Sequence, residues 1–180
     1  MSGVLLSGVL VACGPGDGSP APSTAPSEPE SSTPDAVTPS ITREVPPEQQ
    51  RSLADIPRSE LCGLVSVAEL AELGAPAVEP GKPREIGFEP PVRGCAYDSS
   101  TGPRAVLVGV QPAGFGTLGH DEVDLGSTRG TQTLHANDCT VYTDVQGATL
   151  QITVRRPAAE AEQCDTAQAI AQYVLPVVRH

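Results

Sequence analysis

Residues 139–154 read CTVYTDVQGATLQITV, and this stretch decides the fold. Two runs rich in β-branched residues flank Gln146-Gly147, a pair suited to a two-residue hairpin turn. A turn there pairs Val145 with Ala148, Thr143 with Leu150, Val141 with Ile152 and Cys139 with Val154. That register gathers the more apolar residues on one face and sends Thr149, Gln151 and Thr153 to the other. Side chains alternate with a period of two, so a slip by one residue would reverse the faces.

Working outward, GCAYD (94–98) and RAVLVGVQ (104–111) read as two more strands, joined by the turn-rich SSTGP. In the second, Val106, Val108 and Val110 share one face. Residues 112–130, PAGFGTLGHDEVDLGSTRG, are glycine-rich and are expected to form a long loop containing at most a brief strand. Helices are expected at both ends of this region. In CGLVSVAELAELGAP (62–76), Ser66 and Glu69 form a capping box, with Val65 and Leu70 at the staple positions. Gly74 is the stop, giving a helix over 67–73. From Asp165 to Leu175, the residues Ala167, Ile170, Ala171 and Val174 follow the i, i+3, i+4, i+7 spacing of a buried stripe. The expected fold is α+β: a small, mostly antiparallel sheet of four or five strands, with an N-terminal and a C-terminal helix packed on one face.

The chain has five cysteines. Four of them (Cys62, Cys95, Cys139, Cys164) lie in the region of strands and helices and allow three connectivities. Cys139 lies on the apolar face of the hairpin. Cys164 precedes the helix expected to cover that face, in line with Ala167 and Ala171. Cys62 likewise precedes the first helix, and Cys95 lies on a strand. The pairing is therefore expected to be Cys62–Cys95 and Cys139–Cys164, each bridge stapling a helix start to the sheet. No C-x₂-C pair or close Cys/His spacing suits zinc, so no metal is expected.

These four segments, "LVSVAELAELG" after a cysteine, "GCAYD", "CTVYTDV" and "CDTAQAIAQYVLP", resemble the DUF3558 family. The resemblance implies an actinobacterial cell-envelope lipoprotein with one small domain on a Pro/Ser/Thr-rich stalk. The family's usual Trp two residues after the second cysteine is Tyr97 here. The domain is also similar to the extracellular sensor domains of some mycobacterial serine/threonine kinases. A single Lys (Lys82) and a single Asn (Asn137), amid abundant Ala, Gly, Val, Pro and Arg, fit a GC-rich genome.

The fifth cysteine has a separate setting. Residues 1–12, MSGVLLSGVLVA, form an apolar run with small residues, too short to span a bilayer, and read as a signal peptide. Leu10-Val11-Ala12-Cys13 resembles the lipobox of bacterial lipoproteins. That resemblance implies diacylglycerol on the Cys13 sulfur and cleavage just before it, leaving a membrane anchor of acyl chains such as palmitate. No Lys or Arg precedes Arg43, so a positive n-region is expected upstream. Residues 13–57 are rich in Pro, Ser, Thr, Ala and Glu and carry no helix or strand period. They are expected to form a disordered stalk, open to glycosylation, because they bury too little apolar surface to offset chain entropy. Residues 58–180 are expected to be the single folded domain.

A net charge of −11 argues against nucleic acid as a partner. The densest polar cluster is His120, Asp121, Glu122 and Asp124, a candidate binding loop because binding residues concentrate on loops. His135 is expected near the start of a strand with no carboxylate beside it. GSTRG (126–130) lacks the spacing of a G-x-S-x-G nucleophile elbow. No catalytic pair and no cofactor motif is expected, so the chain does not read as an enzyme. The expectation is a membrane-tethered extracytoplasmic binding or interaction module for an envelope protein, lipid or glycan. The alternatives are an accessory or sensory subunit of a membrane transporter or kinase and, least favoured, an envelope hydrolase.

Overall fold

The computed structural model describes residues 36–87, 89–99, 102–156 and 162–179, with residues 102–104 described by backbone alone. The expected signal peptide, Cys13 and the first part of the stalk lie outside these residues.

The hairpin at 139–154 forms in the expected register. Strand β6 (Asp138–Val145) pairs with β7 (Ala148–Arg155) through Val145↔Ala148, Thr143↔Leu150, Val141↔Ile152 and Cys139↔Val154. Around it the sheet has seven strands, all antiparallel, in the order β1-β2-β3-β7-β6-β5-β4. The remaining strands are β1 (Lys82–Ile86), β2 (Val92–Ser99), β3 (Gly102–Pro112), β4 (Asp121–Asp124) and β5 (Arg129–His135). The fold class is as expected, but the sheet is larger. The expected loop over 112–130 contains β4 and the first residues of β5. Glycines and acidic residues hide these strands from a hydrophobic pattern, and β4 buries only Val123.

One face of the sheet is apolar. Tyr97, Val106, Val108, Val110, Leu150, Ile152, Val154 and Val141 are each at most 1% exposed there. Two helices cover this face. Helix α1 (Val67–Glu72) starts with the expected capping box: Glu69 N–H donates to Ser66 Oγ (3.2 Å), and Ser66 N–H donates to Glu69 Oε2 (2.6 Å). Helix α2 (Glu162–Val174) buries Ala167, Ile170, Ala171 and Val174 completely against β6 and β7. The disulfides are Cys62–Cys95 and Cys139–Cys164, the expected pairs.

The domain starts earlier than residue 58. Leu53 and Ile56 are fully buried in the core, and Val37 and Ile41 pack against it. From residue 36 onward, the stretch expected to be stalk lies on the domain. Arg93 anchors it from β2: its guanidinium donates to the carbonyls of Ile56 (2.6 Å), Leu53 (3.2 Å) and Ala54. Further along, Arg51 N–H donates to Val177 O (2.9 Å) and Arg179 N–H to Arg51 O (3.0 Å), which joins this segment to the C-terminal residues. Composition hid this docking, because a few apolar side chains and carbonyl contacts suffice for it.

Candidate functional site

Among the described residues, no helix packs on the second sheet face. Register places Ile86, Val92, Ala105, Leu107, Gln111, Thr149, Gln151, Thr153, Arg155, Asp138, Thr140, Tyr142 and Asp144 on it. At the end where β6 begins and β7 finishes, this face holds a depression of about 220 Å³. One wall is apolar, made by Ile86, Val92 and Leu107. Val92 lies flat across the neighbouring strand because Gly109 lacks a side chain: a Cβ there would sit 2.7 Å from Val92 Cγ1. The other wall is Thr140, Gln151 and Thr153. Gln151 Nε2 donates to Thr153 Oγ1 (3.2 Å), and the Thr153 and Thr140 hydroxyls are 2.9 Å apart. The Arg155–Asp138 ion pair (3.2 Å) closes the end of the depression, with 40% of the Arg155 side chain exposed. Beside it, burial and the Asp138 charge push the Tyr142 phenol up, against the hydrogen bond with Thr140.

The opposite end of the same face is covered by residues 113–120. The Asp144 carboxylate accepts from Gly114 N–H (3.2 Å), Gly116 N–H (3.1 Å) and the Thr149 hydroxyl. Gly119 N–H donates to Thr131 Oγ1 (2.8 Å), which in turn donates to Gly116 O (2.8 Å). Gly116 is required by this contact, since a Cβ there would sit 2.6 Å from Asp144 Cγ. Thr149, fully buried, is the floor under this cover. A second, more open hollow of about 330 Å³ lies beside it, lined by Thr117, Glu122, Thr128, Arg129, Thr131 and Asp144.

The candidate loop residues do not converge. His120 is exposed and precedes β4, its N–H donating to Thr133 Oγ1 (3.2 Å). Asp121, Glu122 and Asp124 lie on β4, an edge strand, where alternation divides them. Asp121 shares the helix-side face with buried Val123, while Glu122 and Asp124 share the open face. Glu122 reaches the second hollow, and Asp124 Oδ1 accepts from Gly126 N–H (2.8 Å) in a local turn. His135 ends β5 rather than starting it and pairs with Asp138 across a tight turn. Among the described residues, no group of His, Cys, Asp and Glu is arranged to hold a metal ion.

Sequence reasoning missed two arginines. Arg93 is one. Arg43 is the other: its guanidinium stacks 4.2 Å from the Tyr173 ring and donates to Tyr173 O (2.7 Å) and Leu64 O (2.6 Å). Burial lowers its pKa, against the pull of Tyr173 and Glu69. The Tyr173 hydroxyl donates to Glu69 Oε1. Burial pushes the Glu69 carboxyl up, but the hydrogen bonds from Tyr173 and Ser66, with the Arg43 charge, outweigh it and hold the group below its usual range. Burial and Glu69 push the Tyr173 phenol up. The one signal available in sequence was an arginine, flanked by Ile41 and Val45, at the end of a polar stretch.

The arrangement offers a rigid sheet surface with an apolar wall, an amide–hydroxyl wall and an exposed guanidinium, features of a binding surface. Compared with protein-family models, the chain matches the one described as "Protein of unknown function (DUF3558)" over residues 8–177. The chain belongs to the DUF3558 family. No curated protein and no solved structure matches it. The two disulfides of this DUF3558 domain point to an oxidising, extracytoplasmic compartment. Among the described residues, no helix is long and apolar enough to cross a membrane.

Proposed function

We propose that this DUF3558 protein is a lipid-anchored, extracytoplasmic binding module, not an enzyme, and that it meets its envelope ligand on the open sheet face. The observation that carries this reading is the asymmetry of the sheet. Helix α2 packs on one face against β6 and β7, with residues 58–63 against β1 and β2, and the other face keeps a depression whose walls are apolar on one side and hydrogen-bonding on the other. A preformed concavity of mixed lining on a rigid scaffold suits noncovalent recognition. The anchor reading rests on the lipobox-like Leu10-Val11-Ala12-Cys13, and the disulfides supply the compartment.

The face is tested by site-specific photocrosslinking in intact cells. A photoreactive residue replacing Gln151 samples the depression, and one replacing Asp165, exposed on α2, samples the helix side. Adducts are expected from position 151, weakened by Arg155→Glu, and not from 165. Equal adducts at both positions, or none at 151, would defeat the proposal.

A further inference from the structure

Residues 37–43, Val-Thr-Pro-Ser-Ile-Thr-Arg, form a strap across the junction of the two helices. It has neither helix nor strand, and side-chain contacts hold it. Ser40 Oγ donates to Glu72 O at the end of α1, Gln172 Nε2 donates to Val37 O (2.7 Å), and Arg43 reaches Leu64 O and Tyr173 O. The last carbonyls of a helix have no partner within it, so both helix ends offer acceptors to whatever lies across them. Val37 and Ile41, four residues apart, place apolar side chains against the core, and Arg43 seats on the Tyr173 ring. Pro46-Pro47 follow the strap. Beyond it, backbone hydrogen bonds at Arg51 fix the chain independently.

We infer that the strap fills, in cis, a docking groove for an extended, arginine-bearing peptide of a protein partner. The groove's features are those of a peptide site: an apolar strip, helix-end carbonyls as acceptors, and an aromatic ring whose face binds a cation. The occupant seated in it defines the motif, two β-branched residues four apart followed by an arginine two residues on. The strap can leave without unfolding the sheet, because its downstream end is fixed separately. This inference does not depend on the open-face reading, since the two surfaces lie on opposite sides of the sheet.

A tethered strap competes with a free peptide at an effective concentration on the order of millimolar. A peptide of about 0.1 mM intrinsic affinity therefore binds the wild type about tenfold more weakly than a protein whose strap is released. The test uses the full chain and a labelled peptide of residues 36–46, AVTPSITREVP, read by fluorescence anisotropy. Ile41→Ser combined with Arg43→Ala removes both anchors of the resident strap. The doubly substituted protein is expected to bind the peptide about tenfold more tightly than the wild type, and a peptide with its arginine replaced by alanine is expected to lose that gain. Equal binding to both proteins overturns the inference, as does no binding to a variant that keeps the wild-type far-UV spectrum. Loss of the sheet in that variant also overturns it, because the strap would then be part of the obligatory core.

Discussion

Tyr97→Phe removes one oxygen from the centre of the domain. The Tyr97 side chain is 1% exposed, and its hydroxyl donates to Val65 O (2.6 Å) and lies 3.3 Å from Cys62 O. It ties the start of α1 and the Cys62–Cys95 bridge to β2. Phenylalanine fills almost the same volume, so the change leaves buried carbonyls without their donor, at a cost of about 1–3 kcal/mol. The structure also sets how this gap changes with pH. Burial and the Glu69 charge push the Tyr97 phenol up to about 12 from a usual value of 10. Between these values the unfolded chain releases a proton that the folded chain keeps. Stability from this group is therefore complete below pH 10 and is lost as pH rises toward 12. At pH 11 the loss is about 1.4 kcal/mol, one unit's worth. The protein has no Trp, so urea unfolding is followed by far-UV circular dichroism. With an m-value of about 1.5 kcal/mol/M, a gap of about 2 kcal/mol at pH 7 separates the two midpoints by about 1.3 M urea. At pH 11 the separation is expected to fall by about 0.9 M urea. Tyr142 and Tyr173 contribute equally to both proteins and cancel in the difference. A separation that is constant or widens with pH would refute the buried donor.

Replacing Cys139 and Cys164 together by Ser removes a bridge spanning 25 residues and is expected to lower stability by about 3.5 kcal/mol on the loop-entropy account; denaturant midpoints measure it. Arg93→Lys cannot reproduce a guanidinium that reaches the carbonyls of Leu53, Ala54 and Ile56. Amide exchange at residues 53–56 is expected to speed up at least tenfold while β6 and β7 stay protected, and unchanged exchange at 53–56 would count against the anchor. In cells fed a palmitate analogue, the wild type is expected to take up label and Cys13→Ala to take up none; label on the variant would exclude lipidation at that cysteine.

The parts legible in the sequence are those where local chemistry and tertiary burial agree. The hairpin at 139–154 has a turn pair and an alternation that give the same register, so one reading satisfies both. Helix α1 is bounded by Ser66, Glu69 and Gly74, and capping depends on near neighbours alone. The cysteine pairing followed once the buried face was known. Strand β1, KPREI, was illegible because an edge strand need not bury a face, and here four of its five residues are exposed. Its hydrogen bonds to β2 are backbone bonds, which no side-chain pattern records. The docking of residues 36–57 escaped for a related reason. Arg43 and Arg93 hold it through carbonyl oxygens, and every residue carries one. Leu53 and Ile56 were the available signal, two aliphatic side chains in a polar neighbourhood. In the candidate site, the dense cluster at 120–124 drew attention as a loop. As a strand it alternates, and alternation separates neighbours that a loop would bring together.

The two faces of the sheet differ in how far burial accounts for their residues. The helix-side face is explained by burial: its valines, leucines and isoleucines lie under helices that two disulfides hold in place. The open face needs only polar residues to stay soluble, and Thr and Gln supply them. Solubility does not explain why Ile86 and Val92 stay partly exposed beside Leu107, nor why Gly109 leaves room for Val92 to lie flat. A central-strand glycine weakens a sheet, because it gives up side-chain packing and costs backbone entropy. Here it shapes the apolar wall of the depression. At the other end, Asp144 holds the backbone of Gly114 and Gly116 over the face, beside the second, more open hollow. The open end keeps the depression near Arg155, and the proposed recognition rests on that surface.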